Sequence, residues 1–385
     1  MRETDNVIIA LSAIFLCSSS VGIWSTQSIA FVIYSLGFLL VVGISLNDYS
    51  KSRELRTDWF FLVVLLMLVA SSVVNLVASY RVCVLLVIVF FFTPCLSCKR
   101  SFEAKVGLLR SLCRIFIFLS IVNFVCYCVG YNGVVEPSNP LDFKGIMVHP
   151  MWLSPVCGIS VVALLAYVWE LKGIRGRLVC LVLACLCLFV CVAAASRSSL
   201  LATFIGAFFV FWVKIKNTKL AVRALGVSLL LLVMLFPHMD YRRMEAKQEY
   251  QREIGETSRE SLWKSRLNEI SDSPFLGVGV SVSISSTNER KSGRMESGGG
   301  WISVISQSGL LTFCVIVYGV IGALRFNKLT LQRSYNLLLA SSVFVFLCVH
   351  SAFEGYIYTP GVNLCMLFWL TFGILREYRL QRSVR

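Results

Sequence analysis

Charge is what this chain has least of: of its 385 residues only 15% are Asp, Glu, Lys or Arg, against roughly a quarter in soluble domains. That shortage excludes an ordinary water-soluble enzyme. Proline is also sparse, with eight residues, and histidine sparser, with three, so long segments run without a helix breaker or an imidazole. A basic stretch ahead of the first apolar run is missing as well: Glu3 and Asp5 stand there instead, and the run is expected to be a first span rather than a cleavable signal peptide.

What the sequence has is apolar length. Fifty-seven per cent of it is hydrophobic, with a mean hydropathy of +0.76. Runs of about bilayer-spanning length recur at 7–24, 28–46, 59–79, 82–98, 111–130, 151–171, 178–195, 198–213, 220–236, 301–323, 335–353 and 357–375. The expected fold class is therefore all-α, a polytopic helical membrane protein of about twelve transmembrane helices with one long periplasmic loop. Its expected divisions are 1–236, holding spans one to nine; 237–300, a periplasmic loop with a short amphipathic helix; and 301–385, holding spans ten to twelve and a basic tail.

The net charge of +15, read alone, would suggest nucleic acid. Position argues otherwise. With the N-terminus in the cytoplasm, the inner segments carry basic clusters at Lys51–Arg56, Lys99–Arg110, Lys172–Arg177, Lys214–Lys219, Arg325–Arg333 and Arg376–Arg385, while the short outer loops hold only Arg81, Lys144 and Arg197. The positive-inside rule produces this asymmetry; both termini are expected in the cytoplasm, and no nucleic-acid partner is needed. Trp24, Trp59, Trp152, Trp169, Trp212, Trp301 and Trp369 all fall at or near span ends, as tryptophan at the headgroup layer should.

Fifteen cysteines lie in or beside the spans. Cys95 and Cys98 form a CxxC and Cys185, Cys187 and Cys191 cluster, but neither group has the His or acidic neighbours of a metal site, so they read as small apolar residues. No metal and no cofactor is expected.

The long segment 237–300 carries ten basic and ten acidic residues; loops of that length are usually functional. Thr257-Ser258-Arg259-Glu260 reads as a capping box, starting a helix over 258–271 that stops before Pro274. Arg259, Trp263, Arg266 and Ile270 share one face of it. Such a face suits either an anion or an interfacial helix whose arginines reach headgroups. Ser273-Pro274-Phe275-Leu276-Gly277-Val278-Gly279 reads as a tight turn, and Gly298-Gly299-Gly300 as either an anion-accepting helix start or a flexible joint.

Span interiors show no ionic relay, only an occasional polar residue such as Asn123, which argues against a pump or symporter. Polar groups gather at the outer face instead: Arg197, all three histidines (His149, His238, His350) and Glu354. Arg197 alone would also suit a phospholipid anchor. Together, guanidinium groups and a carboxylate or imidazole suit group transfer from a lipid-linked sugar pyrophosphate. The arginines would bind the leaving diphosphate and the base would deprotonate an acceptor hydroxyl.

The motifs Gly145-Ile146-Met147-Val148-His149-Pro150, Ser196-Arg197-Ser198-Ser199, Ser258-Arg259 through Trp263, Ser273 to Gly279 and Gln307-Ser308-Gly309-Leu310-Leu311 occur in an order, with a long outer loop, that resembles the O-antigen polymerase and O-antigen ligase superfamily. The resemblance covers roughly 140–325 and implies an inner-membrane glycosyltransferase with a periplasmic site acting on undecaprenyl-pyrophosphate-linked glycans. It implies pyrophosphate binding by Arg197 and Arg259, to which the shared helix face adds Arg266. The ligases carry a His-Asn pair where this chain has Glu296-Ser297-Gly298, a departure that favours a polymerase. Glu296, His149 and His350 are the candidate catalytic residues. The ligase remains the enzymatic alternative, and a lipid-linked oligosaccharide flippase or other transporter the alternative of another class. Expected partners are undecaprenyl-pyrophosphate-linked oligosaccharides and membrane lipids, with a chain-length regulator as a further candidate.

Overall fold

A computed structural model describes residues 3–22, 27–52, 55–73, 79–133, 143–215, 259–280, 283–284, 290–291 and 298–382. Thirteen helices lie within them: α1 (Glu3–Cys17), α2 (Gln27–Lys51), α3 (Trp59–Val73), α4 (Ser79–Phe92), α5 (Lys99–Cys128), α6 (Pro150–Val168), α7 (Ile174–Ala193), α8 (Arg197–Lys214), α9 (Arg259–Asp272), α10 (Gly300–Leu324), α11 (Lys328–Arg333), α12 (Tyr335–His350) and α13 (Asn363–Arg382). A short antiparallel pair, β1 (Ser283–Ile284) and β2 (Arg290–Lys291), sets Ser283 opposite Lys291.

Eleven of the twelve expected spans overlap a helix among the described residues, and 220–236 lies outside them. Among the described residues, six helices are long and apolar enough to cross a membrane: α2 from Ile29, α5, α6, α7, α8 and α10. Shorter apolar helices lie at Asp5–Ser20, Trp59–Val73, Arg81–Phe92 and Tyr335–His350. Apolar side chains face outward on α2 (Phe31, Val32, Leu36, Leu39) and on α7 (Leu178, Val179, Leu181, Val182). A helical surface of that kind is at home in hydrocarbon, where each helix satisfies its own backbone.

The core centres on α6, which packs against α5, α7, α8 and α12. The hydroxyls of Ser120 of α5 and Ser160 of α6 lie 3.1 Å apart, each also within reach of a carbonyl one turn back in its own helix, so one donates across to the other and the second donates to its own helix. Near the far end of the bundle, Trp369 donates Nε1–H to the carbonyl of Ile357 at 3.1 Å and stacks with Phe372.

The two ends of the bundle differ in chemistry. One end holds ion pairs: buried Lys105 lies 3.0 Å from Glu377 of α13 and donates to the carbonyl of Thr93 at 3.1 Å, while Ser97 donates to the same carboxylate. Beside it, Arg376 grips Asp58 through two hydrogen bonds of 3.0 and 3.1 Å. Lys214 and Lys328 donate to the carbonyls of Gln332 and Ile215, and Arg110 donates to Asn336. These partners explain why α5 begins at Lys99, well before the expected 111: its charged first turns are neutralised by other elements, and Cys98 caps the helix by accepting from the amide of Ser101.

At the opposite end the start of α6 meets the end of α1, and Gly22 and Val148 exchange backbone hydrogen bonds with Ile146 and Ser20. Asn123 belongs here rather than at mid-span. Two turns or less from the end of α5, its Oδ1 accepts from the amide of Ile146 at 2.9 Å and its Nδ2 donates to Leu119.

Candidate functional site

The site grows from the sharp reversal between α7 and α8. Ala195 turns the chain with φ 52°, a left-handed conformation that costs a residue with a Cβ about 1–2 kcal/mol. Strain of this kind persists where the surroundings hold it. It delivers Ser196 as N-cap and Arg197 as the first residue of α8, with Arg197 exposed. The Ser196 hydroxyl lies 3.2 Å from that of Ser198 and 3.1 Å from that of Ser199.

Both serines then reach the end of α12. Ser199 Oγ is 3.0 Å from Nε2 of His350, which is 1% exposed, its imidazole stacked between Phe346 and Tyr356. Ser198 donates to Oε1 of Glu354 at 3.4 Å. Glu354 sits one turn past His350, its amide donating to the His350 carbonyl at 3.0 Å, and it is half-buried. Tyr356 donates its hydroxyl to Leu347 at 2.8 Å, and burial pushes this phenol well above its ordinary range, so it stays a neutral donor.

The turn 351–354 docks on the start of α10 because glycine lines the contact. The amide of Gly300 donates to the Ser351 carbonyl at 2.6 Å. A Cβ on Gly299 would stand 2.8 Å from the Ala352 carbonyl oxygen, and one on Gly300 would stand 2.8 Å from that of Ser351 and 3.0 Å from that of Glu354. The triplet is thus a close-packed joint. On its other side Trp263 of α9 donates Nε1–H to the Gly298 carbonyl at 2.8 Å. Trp301, the next residue but two, ties α10 to α12 by donating to Cys348 at 2.9 Å.

From α9 the chain descends along α10. Val278 and Gly279 donate their amides to Ser306 and Gln307, and Leu310 donates to Pro274. Gly309, with φ 81°, opens α10 at this point. A side chain there would collide with the Phe275 carbonyl, and one on Gly277 with Gln307. The turn therefore reaches a level nine residues below the start of α10, a depth of about 13 Å along a helix. Above it, Arg266 and Glu269 form a buried ion pair of 2.7 Å, with Arg266 also donating to Ser306 at 3.4 Å.

The sequence-derived site residues fall into three groups. Arg197 stands exposed at the start of α8, and Arg259 opens α9, its side chain outside the described residues. Arg266, His149 and His350 are engaged in the packing. Arg266 is held by Glu269; His149 caps α6 by accepting at Nδ1 from the Met151 amide at 3.1 Å; His350 meets Ser199. Glu296, His238 and Thr257 lie outside the described residues. Sequence reasoning named Glu354 among the outer-face polar groups but gave Ser198 and Ser199 no role. The signal was Glu354, one helical turn beyond His350. Among the described residues no cluster of three or more His, Cys, Asp or Glu is placed to hold a metal.

Residues 181–305 match the family model described as O-antigen ligase. That match supports the O-antigen polymerase and ligase superfamily for this part of the chain. The matched segment runs from within α7 through α8 and α9 to the start of α10, so it takes in Arg197, Arg259 and the glycine joint and stops short of α12. The matched family implies lipid-linked polysaccharide substrates, and together with the apolar helices it fits an integral membrane protein. No curated protein matches the chain.

Proposed function

We propose that the protein is an inner-membrane polymerase that transfers a growing glycan from undecaprenyl pyrophosphate to a sugar hydroxyl of another lipid-linked repeat unit. The observation that carries this reading is the contact path from α8 to α9. Ser198 meets Glu354, the turn bearing Glu354 docks on Gly299 and Gly300, and Gly298 accepts from Trp263. Arg197 and the helix that opens with Arg259 thereby belong to one end of the bundle.

In this reading that end faces the periplasm, and the end bearing Lys105, Lys214, Lys328 and Arg376 faces the cytoplasm, as the positive-inside rule favours. The guanidinium groups of Arg197 and Arg259 bind the donor's diphosphate. Bidentate hydrogen bonds hold its oxygens as negative charge grows on the leaving group. Arg266, His149 and His350 position the helices that frame the site. Metal or nucleotide sugar need not take part, because the pyrophosphate ester already supplies the activated leaving group.

Deletion of the gene followed by lipopolysaccharide profiling tests the proposal. A polymerase leaves one repeat per core; bare core with accumulated lipid-linked polymer would instead identify a ligase. Bare core with single repeat units stranded on the cytoplasmic face would identify a flippase.

A further inference from the structure

We propose that Glu354 is the general base of the transfer, the group that takes the proton from the acceptor sugar hydroxyl. The inference rests on the polymerase reading and names a residue outside the family-matched segment 181–305.

Position singles it out. Glu354 lies at the start of α8, within 3.4 Å of the hydroxyl of the residue that follows Arg197. The base and one arm of the diphosphate grip thus occupy neighbouring positions at one helix end. Among the described residues, the other acid–base groups brought to this region are deeply buried or engaged in helix packing. His350 is 1% exposed with Nε2 at Ser199, His149 spends Nδ1 on the Met151 amide, and Glu269 is 1% exposed and paired with Arg266. Glu354 is half-buried rather than sealed from solvent, and its carboxylate is turned to the start of α8, 3.4 Å from the Ser198 hydroxyl.

The glycine joint gives the same assignment from another direction. Any side chain at 299 or 300 would press into the backbone of 351–354. Three successive glycines at 298–300 let that turn approach α10 closely, which holds Glu354 between the starts of α8 and α10.

The step balances on these groups. The acceptor O–H gives its proton to a Glu354 carboxylate oxygen as the hydroxyl oxygen forms a bond to the donor's anomeric carbon. The bond from that carbon to the pyrophosphate oxygen breaks, and its electron pair leaves on undecaprenyl pyrophosphate, where guanidinium groups stabilise it. Glu354 then releases the proton to water.

The test uses the full-length protein in proteoliposomes. It is assayed for binding of undecaprenyl pyrophosphate and for elongation of undecaprenyl-pyrophosphate-linked repeat units extracted from a strain lacking this protein. Wild type is measured first; if it neither binds nor elongates, the polymerase reading fails and this inference with it. Given an active wild type, Glu354→Gln should bind undecaprenyl pyrophosphate within about twofold of wild type and elongate about 10²–10⁴-fold more slowly. Glu354→Asp, which keeps a carboxylate, should recover part of the rate and serves alone if the amide variant does not accumulate. Elongation by Glu354→Gln at the wild-type rate, or loss of donor binding in step with rate, overturns the inference and leaves the polymerase reading standing. So does abolished elongation in Glu296→Gln beside normal elongation in Glu354→Gln.

Discussion

Ser199 and His350, 151 positions apart, join the start of α8 to the end of α12 through a 3.0 Å hydrogen bond between Oγ and Nε2. Both are buried, His350 between two aromatic rings. Replacing His350 by Phe keeps the stack but strips Ser199 of that partner. Ser196 stays 3.1 Å from the Ser199 hydroxyl, so the loss is that of one hydrogen bond, about 0.5–1.5 kcal/mol, and His350→Phe should lower the thermal midpoint in detergent. Ser199→Ala on the same background should restore most of the loss. A double variant no more stable than His350→Phe would show that the imidazole acts here in some other way.

Arg197 is exposed and makes the first turn of α8, so its loss should spare the fold. Arg197→Ala should stay in the membrane at wild-type abundance, and long-chain glycan should fall by about 10²–10³-fold, the usual consequence of removing one charge-stabilising donor. Arg197→Lys keeps the charge but loses the planar fork and should recover only part of the activity. Gel profiles of extracted lipopolysaccharide read the result, and normal chain lengths in Arg197→Ala would take this residue out of the mechanism.

The Arg266–Glu269 pair is buried on both sides, at 4% and 1% exposure. Removing one member strands a charge, at a cost of about 3–5 kcal/mol, whereas replacing both by apolar residues is often neutral. Arg266→Met should therefore destabilise strongly and the double variant Arg266→Met with Glu269→Leu should melt near wild type. Were the double variant stable and inactive, Arg266 would have a direct part in binding substrate.

Gly309 should tolerate no side chain. Its φ of 81° and the Phe275 carbonyl facing it both oppose a Cβ, so Gly309→Ala should detach the 273–279 turn from α10. The variant is expected to lose activity and to be cut faster by limited proteolysis within 273–279, while Leu310→Ala, at a neighbouring and exposed position, should behave almost as wild type. Equal behaviour of the two variants would contradict the docking described.

Much of the helical layout was legible because apolar length is a strong signal: the expected spans at 151–171, 198–213 and 301–323 coincide with α6, α8 and α10 almost end for end. The start of α5 was not, since the charges of Lys105 and Arg110 argue against an apolar span until their partners on α13 and α12 are known. The site was legible in its motifs and illegible in their assembly. Ser273–Gly279 and Gln307–Leu311 stand out separately in sequence, yet only their packing reveals why Gly277 and Gly309 are both glycine. Gly298–Gly300 reads equally as an anion site or a hinge until the backbone of 351–354 fills the space beside it. His149 and His350 illustrate the converse: an imidazole at a boundary invites a chemical role, and local geometry assigns one to a helix cap and the other to a serine.

Binding of undecaprenyl pyrophosphate to wild type, Arg197→Ala, Arg259→Ala and the double variant tests most directly the claim that two arginines from separate helices share one diphosphate. Each single variant should weaken binding, and the two losses should fail to add, with a coupling of about 0.5–3 kcal/mol, as for residues that meet in one network. Strict additivity, or full affinity in either single variant, would contradict the account.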